Sequence, residues 1–304
     1  MQGQNPQIPD IEIVEVSPRD GLQNESQLFS TDQKLHLINA AIDAGVKRIE
    51  VASFVHPKRV PQMADAEAVC AGLSQREDVT YIGLVLNQRG LDRAIAAGVD
   101  EAGCVVSASD GFGQNNQGQS SQESVDIASA MIEKARAAGL AANVTISVAF
   151  GCPFDGEVSS QRVVKMAKTL AQAKPHEIAI ADTIGVANPW QVTDLINAVK
   201  KEIPNMPLRM HFHNTRNTGI ANAYAAAKAG VQTLDSSIGG IGGCPFAPAA
   251  TGNIPTEDLL YMLERAGVQT GLDLEKINQT AKWLSETMQR PVPGMVSKAG
   301  GFPK

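Results

Sequence analysis

Hydrophobic and polar positions alternate along this chain in units that pair one short strand with one helix. Apolar runs of strand length, rich in β-branched residues, occur eight times: residues 11–16, 46–53, 80–86, 99–107, 142–150, 177–182, 207–213 and 231–238. Segments with helical periodicity lie between them, and two more, 256–266 and 274–289, follow the last run. Eight strand–helix units are typical of an α/β fold of the (β/α)8 TIM barrel type.

The predicted helices carry start and stop signals. Ser30 and Gln33 have capping-box spacing, Asn188 precedes a proline at the first helical position, and residues 120–138 form another helix. Four helices end in an Ala-Gly pair, where glycine suits the left-handed residue that follows a helix: Gly45, Gly98, Gly139 and Gly230.

A doubly wound open sheet is the alternative fold. That fold commonly opens its first helix with G-x-G-x-x-G, which this sequence lacks, and a count of eight strands favours closure. No Pro/Ser-rich linker divides the chain. We therefore expect one domain over residues 1–304, with the barrel at about 11–240, a lid loop at about 239–253 and C-terminal helices at about 256–290.

Unusual polar residues fall at the carboxyl ends of the predicted strands, where barrel enzymes place their chemistry. His211 and His213 alternate at the end of the seventh strand, so both imidazoles should face one side, as a divalent metal requires. The alternative for the pair alone is that one histidine is a core residue with its hydrogen bonds satisfied and the other is exposed to solvent. Asp20 offers an oxygen ligand after the first strand, and this mixture suits Mg²⁺ or Mn²⁺; zinc is the competing metal.

Two carboxylates are predicted to be buried, which is costly unless each is paired or functional. Glu50 lies between apolar residues of the second strand, and Arg19 is its candidate partner. Asp182 ends the sixth strand in the same way. An internal salt bridge is the structural alternative for both.

A glycine-rich loop over residues 239–253 follows the eighth strand, and such loops commonly act as lids over active sites. A thiol in that position, Cys244, is suited to proton transfer, and the alternative is an ordinary free cysteine. Asn253 offers either an amide oxygen to a metal or a cap to the next helix.

Composition narrows the class of partner. The 304-residue chain has a formal net charge of -6 and no Lys/Arg-rich stripe, so we expect no nucleic-acid partner. No apolar run approaches the roughly 20 residues of a membrane span, and the first residues resemble no targeting signal. Four cysteines without a C-x-x-C motif suggest reduced thiols and a cytoplasmic location.

Together these motifs resemble the 3-hydroxy-3-methylglutaryl-CoA (HMG-CoA) lyase family over essentially the whole chain. The matching segments are residues 16–25, 49–50, 53–55, 61–65, 151–154, 182–185, 211–213 and 242–263. The last segment, with its cysteine, is the most specific. Wider relatives similar to isopropylmalate synthase share the Arg-Asp and His-x-His elements but lack this cysteine loop.

The resemblance implies retro-Claisen cleavage of HMG-CoA to acetyl-CoA and acetoacetate, in leucine degradation, by a homodimer. It implies that Mg²⁺ or Mn²⁺ is held by Asp20, His211, His213 and Asn253. Arg19 would stabilise the enolate, and Arg19 and Gln23 would contact the acyl-CoA substrate. Cys244 and His211 would transfer protons, while Glu50 and Asp182 would orient the catalytic groups.

Three departures from the family pattern leave the substrate open. Arg59 and Arg216 stand where the family has tryptophan and tyrosine, and Asp110-Gly111 stands where it has Glu-Ser. Cleavage of citramalyl-CoA to acetyl-CoA and pyruvate, or of a longer branched 3-hydroxyglutaryl-CoA, is therefore an alternative. A condensing synthase and a non-catalytic barrel that binds metal or CoA are the alternatives from other classes.

Overall fold

Eight parallel strands close into a barrel in this computed structural model, which describes residues 10–243 and 252–303. The barrel strands are β1 (Glu12–Glu15), β2 (Arg48–Ser53), β3 (Thr80–Val85), β4 (Glu101–Ser107), β5 (Ala141–Ser147), β8 (Glu177–Asp182), β9 (Leu208–Phe212) and β10 (Thr233–Ser236). They follow one another around the barrel in chain order, and β10 pairs with β1 to close it. A small antiparallel hairpin, β6 (Gly151–Cys152) and β7 (Gly156–Glu157), follows β5.

Helices cover the outside of the barrel. They are α1 (Thr31–Asp43), α2 (Ala66–Ala71), α3 (Gln88–Ala97), α4 (Asp110–Gln117), α5 (Ser121–Ala137), α6 (Ser160–Gln172), α7 (Pro189–Glu202), α8 (Gly219–Lys228), α9 (Thr256–Arg265), α10 (Leu274–Thr287) and α11 (Val296–Ala299). Short turns of π-helix (Ser17–Gly21) and 3-10 helix (Pro61–Met63 and Ile238–Gly240) lie in the loops. The predicted TIM barrel with extra C-terminal helices is confirmed. No helix of the described ranges is long and apolar enough to cross a membrane.

The helix signals are confirmed in detail. Ser30 and Asn188 form complete capping boxes with Gln33 and Gln191, and Ser120 does so with Glu123. Gly45, Gly98, Gly139 and Gly230 all have positive φ angles, between 76° and 105°. Glycine tolerates this left-handed conformation at little steric cost, which explains why the helices end there.

The observed strands differ from the predicted ones chiefly at their ends. β5 ends at Ser147 instead of residue 150, because Val148 takes a left-handed backbone (φ 50°) that a strand cannot continue through. β9 ends at Phe212, and His213 forms an isolated antiparallel bridge with Asn253. The site histidines therefore span the last strand residues and the first loop residue.

The inside of the barrel is more polar than its wall. The apolar core lies between strands and helices, while the small cluster of Val14, Val16 and Ile82 forms a separate apolar patch. At the amino ends of the strands, Arg48 donates to Glu101 (2.9 Å) and lies 3.3 Å from Glu177. Barrel interiors are usually filled by branched apolar side chains. These buried charges instead make the interior polar below the carboxyl ends of the strands.

Candidate active site

The Arg19–Asp20 pair lies in the π-helical turn directly after β1. Pro18 is the second residue of this turn, and Gly21 leaves room for the neighbouring loop, since a Cβ there would lie 2.8 Å from Ile241 Cγ1. Arg19 donates to Asp20 Oδ1 through Nη1 (2.7 Å) and to Glu50 Oε2 through Nε (2.7 Å). The predicted pairing of Arg19 with Glu50 is therefore present, and it fixes the guanidinium between two carboxylates.

Asp20, His211 and His213 converge at the carboxyl end of the barrel. Each offers one ligand atom, and these three atoms lie within 4.8 Å of one another. The two imidazole rings are 5.1 Å apart, centroid to centroid. Behind them, His211 Nδ1 lies 3.0 Å from Asp235 Oδ2 of β10. A carboxylate and two histidines whose ligand atoms converge in this way can hold a divalent metal.

Asn253 is tied to the same point from the other end of the glycine-rich loop. Its Nδ2 donates to Asp20 Oδ2 (2.8 Å) and to the Ile241 carbonyl (3.1 Å). It does not cap α9, because Pro255 is the residue that precedes that helix. Of the two functions left open for Asn253, the helix cap is therefore excluded.

The donor atoms present fit a divalent metal. Within the described part of the chain, His213 Nδ1 and Asn253 Oδ1 are buried and have no hydrogen-bond partner. Buried polar atoms are nearly always paired, so two unpaired ones beside a carboxylate are a sign of a missing ligand. Imidazole, carboxylate and amide oxygen together suit Mg²⁺ or Mn²⁺ better than a thiolate-preferring ion.

The electrostatics of Asp20 and His213 favour ligation, whereas those of His211 favour its protonated ring. Burial, reinforced by the positive charge of His211, lowers the pKa of His213 to about 3, so this ring is neutral at pH 7. Burial opposes ionisation of Asp20, but Arg19 and the two histidines outweigh it and lower its pKa. Burial also lowers the pKa of His211, yet the hydrogen bond and charge of Asp235 outweigh it and raise that pKa. The site thus presents an ionised carboxylate and two chemically distinct imidazoles.

Glu50 and Asp182 are both buried as predicted, but they make different contacts. Burial raises the pKa of Glu50, and the charge of Arg19 partly offsets this. Asp182 makes no salt bridge within the described ranges; it accepts the backbone N–H groups of Val186 (2.9 Å) and Ala187 (3.0 Å). Burial raises its pKa as well, against those hydrogen bonds. Asp182 therefore shapes the loop that follows β8.

A cavity of about 840 Å³ opens over these groups. Its described walls include Arg19, Asp20, Gln23, Glu50, His211 and His213, and do not include Asp182 or Asn253. Arg59 also lines it, whereas Arg216 does not: its guanidinium donates to the carbonyls of Ile184 (2.9 Å) and Gly185 (3.1 Å). Of the two arginines that depart from the family pattern, only Arg59 is placed to meet a substrate.

One predicted site residue is not described by the structure, and several residues of the site were not predicted. Cys244 lies outside the described residues, as does most of the predicted lid. Sequence reasoning missed Asp235, although a charged residue within a predicted barrel strand, here Thr-Leu-Asp-Ser, was a usable signal. It also missed the amide-rich wall of the cavity, whose side chains come from α4 and the two residues after it: Gln114, Asn115, Asn116, Gln117 and Gln119.

Comparisons with known proteins agree with this geometry. The family model described as HMGL-like matches residues 10–284. An (R)-citramalyl-CoA lyase of Chloroflexus aurantiacus is 43% identical over 300 residues, covering 95% of each chain. A hydroxymethylglutaryl-CoA lyase of Bacillus subtilis is 40% identical over 283 residues, covering 93% of this chain and 95% of its own.

A solved structure of an HMG-CoA lyase is also similar to this chain. The HMG-CoA lyase from Acinetobacter baumannii, in complex with coenzyme A and 3-methylmalate, superposes with a TM-score of 0.94 at 37% identity and covers 99% of this chain and 98% of that one. The barrel, the cluster of possible metal ligands at its carboxyl end and these matches along nearly the whole length lead to one conclusion: the chain belongs to the HMGL-like family of lyases.

Proposed function

We propose that this chain is a divalent-metal-dependent carbon–carbon lyase that cleaves HMG-CoA to acetyl-CoA and acetoacetate. The observation that carries the proposal is the convergence of Asp20, His211 and His213 beside Arg19 in one cavity. At about 840 Å³ the cavity is of the size that small-molecule sites usually have. Relatives named for lyase activity on two short, branched acyl-CoA thioesters support the substrate class.

Asp20, His211 and His213 would hold the metal, with Asn253 as an additional oxygen donor. When bound, Mg²⁺ or Mn²⁺ would polarise the hydroxyl and carboxylate oxygens of the substrate as a Lewis acid. The neutral ring of His213 and the ionised Asp20 are the protonation states that ligation requires.

The chain's own residues supply the remaining chemistry. Cleavage removes the proton of the tertiary hydroxyl, turns that carbon into a ketone, and leaves the electron pair of the broken bond on the acetyl-CoA enolate. One nitrogen of His211 faces Asp235 and one is free for the site, so in any one step His211 would either bind the metal or take the hydroxyl proton. Arg19 would stabilise the negative charge on the thioester oxygen, because Glu50 and Asp20 already hold its guanidinium in place.

The enolate must then receive a proton at carbon to become acetyl-CoA. We assign this step to Cys244, on the strength of the family resemblance of residues 242–263. Gln23, which lines the cavity, would contact the substrate. Asp182 would act indirectly by fixing the loop after β8.

Citramalyl-CoA is the second candidate substrate, and the 43% identity to a citramalyl-CoA lyase favours it. It carries its carboxylate one methylene closer to the reacting carbon and would give pyruvate in place of acetoacetate. Arg59 is exposed in the cavity wall, so it could contact a carboxylate on a different acyl group, including a longer branched one.

The test is acetyl-CoA release from HMG-CoA and from citramalyl-CoA, side by side, with Mg²⁺ and with EDTA. Chelator-sensitive cleavage that prefers HMG-CoA supports the proposal, and a preference for citramalyl-CoA supports the second candidate. Arg59→Gln should change the ratio of the two rates if Arg59 reads the acyl group. Arg89→Gln, at an exposed arginine on α3 outside the cavity wall, is the matched control. Acetyl-CoA release at the same rate with and without EDTA would contradict both proposals.

The reverse condensation remains the competing reaction, and the same enzyme assayed with acetyl-CoA and a keto acid distinguishes the two directions. A homodimer in the cytoplasm that acts in leucine degradation stays a prediction of the family resemblance.

A further inference from the structure

The ring of His211 contacts a carboxylate, that of Asp235, to which the proposed reaction gives no function. Asp235 Oδ2 lies 3.0 Å from His211 Nδ1, on the neighbouring strand β10. We propose that Asp235 is a positioning residue that holds His211 as the Nδ1–H tautomer and thereby keeps Nε2 free as the ligand nitrogen. The inference rests on the proposed metal site and concerns a residue outside its ligand set.

The register of the barrel explains why the two side chains meet. Leu234 of β10 pairs with Met210 of β9, so the next position on each strand brings Asp235 alongside His211. Both side chains line the cavity in the barrel, as does that of Arg209, which shares a face of β9 with His211. Asp235 is only 5% exposed, which leaves water little access to its carboxylate.

Asp235 also has a positively charged neighbour on the far side from His211. Arg209 stands two residues before His211 and places Nη1 3.4 Å from Asp235 Oδ1. The same guanidinium lies 3.2 Å from Glu177 and donates to Asn143 Oδ1 (3.0 Å), so it has little freedom to move. Arg209 therefore attracts the other oxygen of Asp235 through its charge, without a hydrogen bond among the described residues, while Oδ2 faces the imidazole.

A carboxylate at this position has a consequence that a neutral partner would not have. An ionised aspartate can only accept hydrogen bonds, so the nitrogen facing it must carry the proton. The remaining ring nitrogen then keeps its lone pair, which a metal ligand needs. Carboxylates behind ligating histidines typically change metal affinity 10- to 100-fold when they are removed.

The experiment compares Mn²⁺ binding to metal-stripped wild type, Asp235→Asn and Glu101→Gln by titration calorimetry. Glu101 is the matched control, because it is an equally buried barrel carboxylate that contacts Arg48 and Asn143 but not His211. We expect Asp235→Asn to weaken Mn²⁺ binding about 10- to 100-fold, and Glu101→Gln to change it by less than about threefold. Equal weakening by both variants would assign the effect to lost charge and overturn the positioning role.

Nitrogen NMR of the histidine rings gives a readout that a structural effect would not move. The chain has 5 histidines, so a ¹⁵N-histidine spectrum is simple to assign by substitution. In metal-free wild type, once the ring is neutral, His211 should show the Nδ1–H tautomer alone, and Asp235→Asn should show a mixture. An Nε2–H tautomer in the wild type overturns the inference even if the variant fails to fold. Absence of Mn²⁺ binding by the wild type would instead contradict the proposed function.

Discussion

Two histidines of one strand end have opposite acid–base properties because their neighbours differ. His211 faces Asp235, which raises its pKa, while His213 has no partner at Nδ1 among the described residues and its pKa falls to about 3. At the residue scale, therefore, His213 is suited to permanent ligation, and His211 is the ring that holds its proton more tightly.

Replacement of His213 by alanine should remove metal binding with little effect on the barrel. We expect at least a 100-fold rise in the Kd for Mn²⁺, measured by electron paramagnetic resonance of free Mn²⁺, because one of three converging ligand atoms is lost. His56→Ala is the control, since His56 lines the same cavity but is exposed and outside the cluster. Unchanged affinity in the His213 variant would remove it from the ligand set.

Arg19 should act on turnover more than on binding. Arg19→Gln deletes the cation that would face the developing enolate charge, and we expect kcat to fall about 10²-fold or more with a small change in KM. Arg19→Lys keeps the charge but loses the two-point contact with Glu50 and Asp20, and it should recover part of the rate. Steady-state kinetics on the better of the two acyl-CoA substrates decide it, and a loss confined to KM would contradict this role.

At the scale of elements, the two ends of the glycine-rich loop meet over Asp20 and carry Asn253 to the site. Asn253 N donates to the Gly242 carbonyl (3.0 Å), and Asn214 N donates to the Gly252 carbonyl (2.9 Å). A Cβ on Gly252 would lie 1.7 Å from the Gly242 carbonyl oxygen, so no other residue fits there without moving the backbone. The absence of a side chain is what permits this close approach.

Gly252→Ala should therefore displace Asn253 and weaken both metal binding and stability. We expect Mn²⁺ affinity to fall about 10-fold or more and unfolding to become easier by about 1–3 kcal/mol, as overpacking in a dense region usually costs. Gly301→Ala is the matched control, because the nearest atom to a Cβ there is 3.7 Å away. A Gly252 variant that binds and unfolds like the wild type would show that this crossing does not position Asn253.

The strands, helix caps and barrel closure could be predicted because they depend on local patterns: alternation, capping residues and Ala-Gly helix ends. The Asp20–His211–His213 cluster could be predicted because parallel barrel strands bring their carboxyl ends together. Asp235 was missed because its partner is 24 residues away on another strand, and only the register brings them together. The bend at Val148 was missed because valine gives no local signal for a left-handed backbone.

At the scale of the whole molecule, the barrel interior carries more negative than positive groups. Ion pairs connect three arginines with five carboxylates that are buried or nearly so: Arg19, Arg48 and Arg209 with Asp20, Glu50, Glu101, Glu177 and Asp235. A divalent cation at Asp20 would offset this negative excess in a region where charge is poorly screened.

Metal binding should accordingly stabilise the folded protein. At 100 times its Kd a ligand adds about 2.7 kcal/mol, which corresponds to a rise in Tm of roughly 5–10 °C for a large domain. Calorimetric scans with Mn²⁺ and with EDTA measure this, and the His213→Ala variant should lose the difference. Equal Tm values of the wild type with Mn²⁺ and with EDTA would contradict the prediction that the metal binds the folded protein and not the unfolded one.

The pH dependence of stability should be governed in part by Glu257, which joins the C-terminal helices to the barrel. Burial raises its pKa from 4.5 to about 7, although it accepts the Gly239 N–H (3.0 Å). The folded state therefore holds this proton more tightly than the unfolded state between those values. Stability from this group is fully present below about pH 4.5 and is lost as pH rises through about 7.

Glu257→Gln keeps the shape and cannot lose a proton, so its stability should not fall in this way. Each pH unit between the two pKa values changes the free energy of unfolding by about 1.4 kcal/mol. Between pH 5 and pH 8 the free energy of unfolding of the variant, relative to that of the wild type, should therefore rise by about 3 kcal/mol. Urea unfolding of both proteins at several pH values measures the difference, with Glu286→Gln, at an exposed position on α10, as the control. A difference that stays constant with pH would mean that Glu257 is ionised in both states, which its burial and its uncharged hydrogen-bond partners argue against.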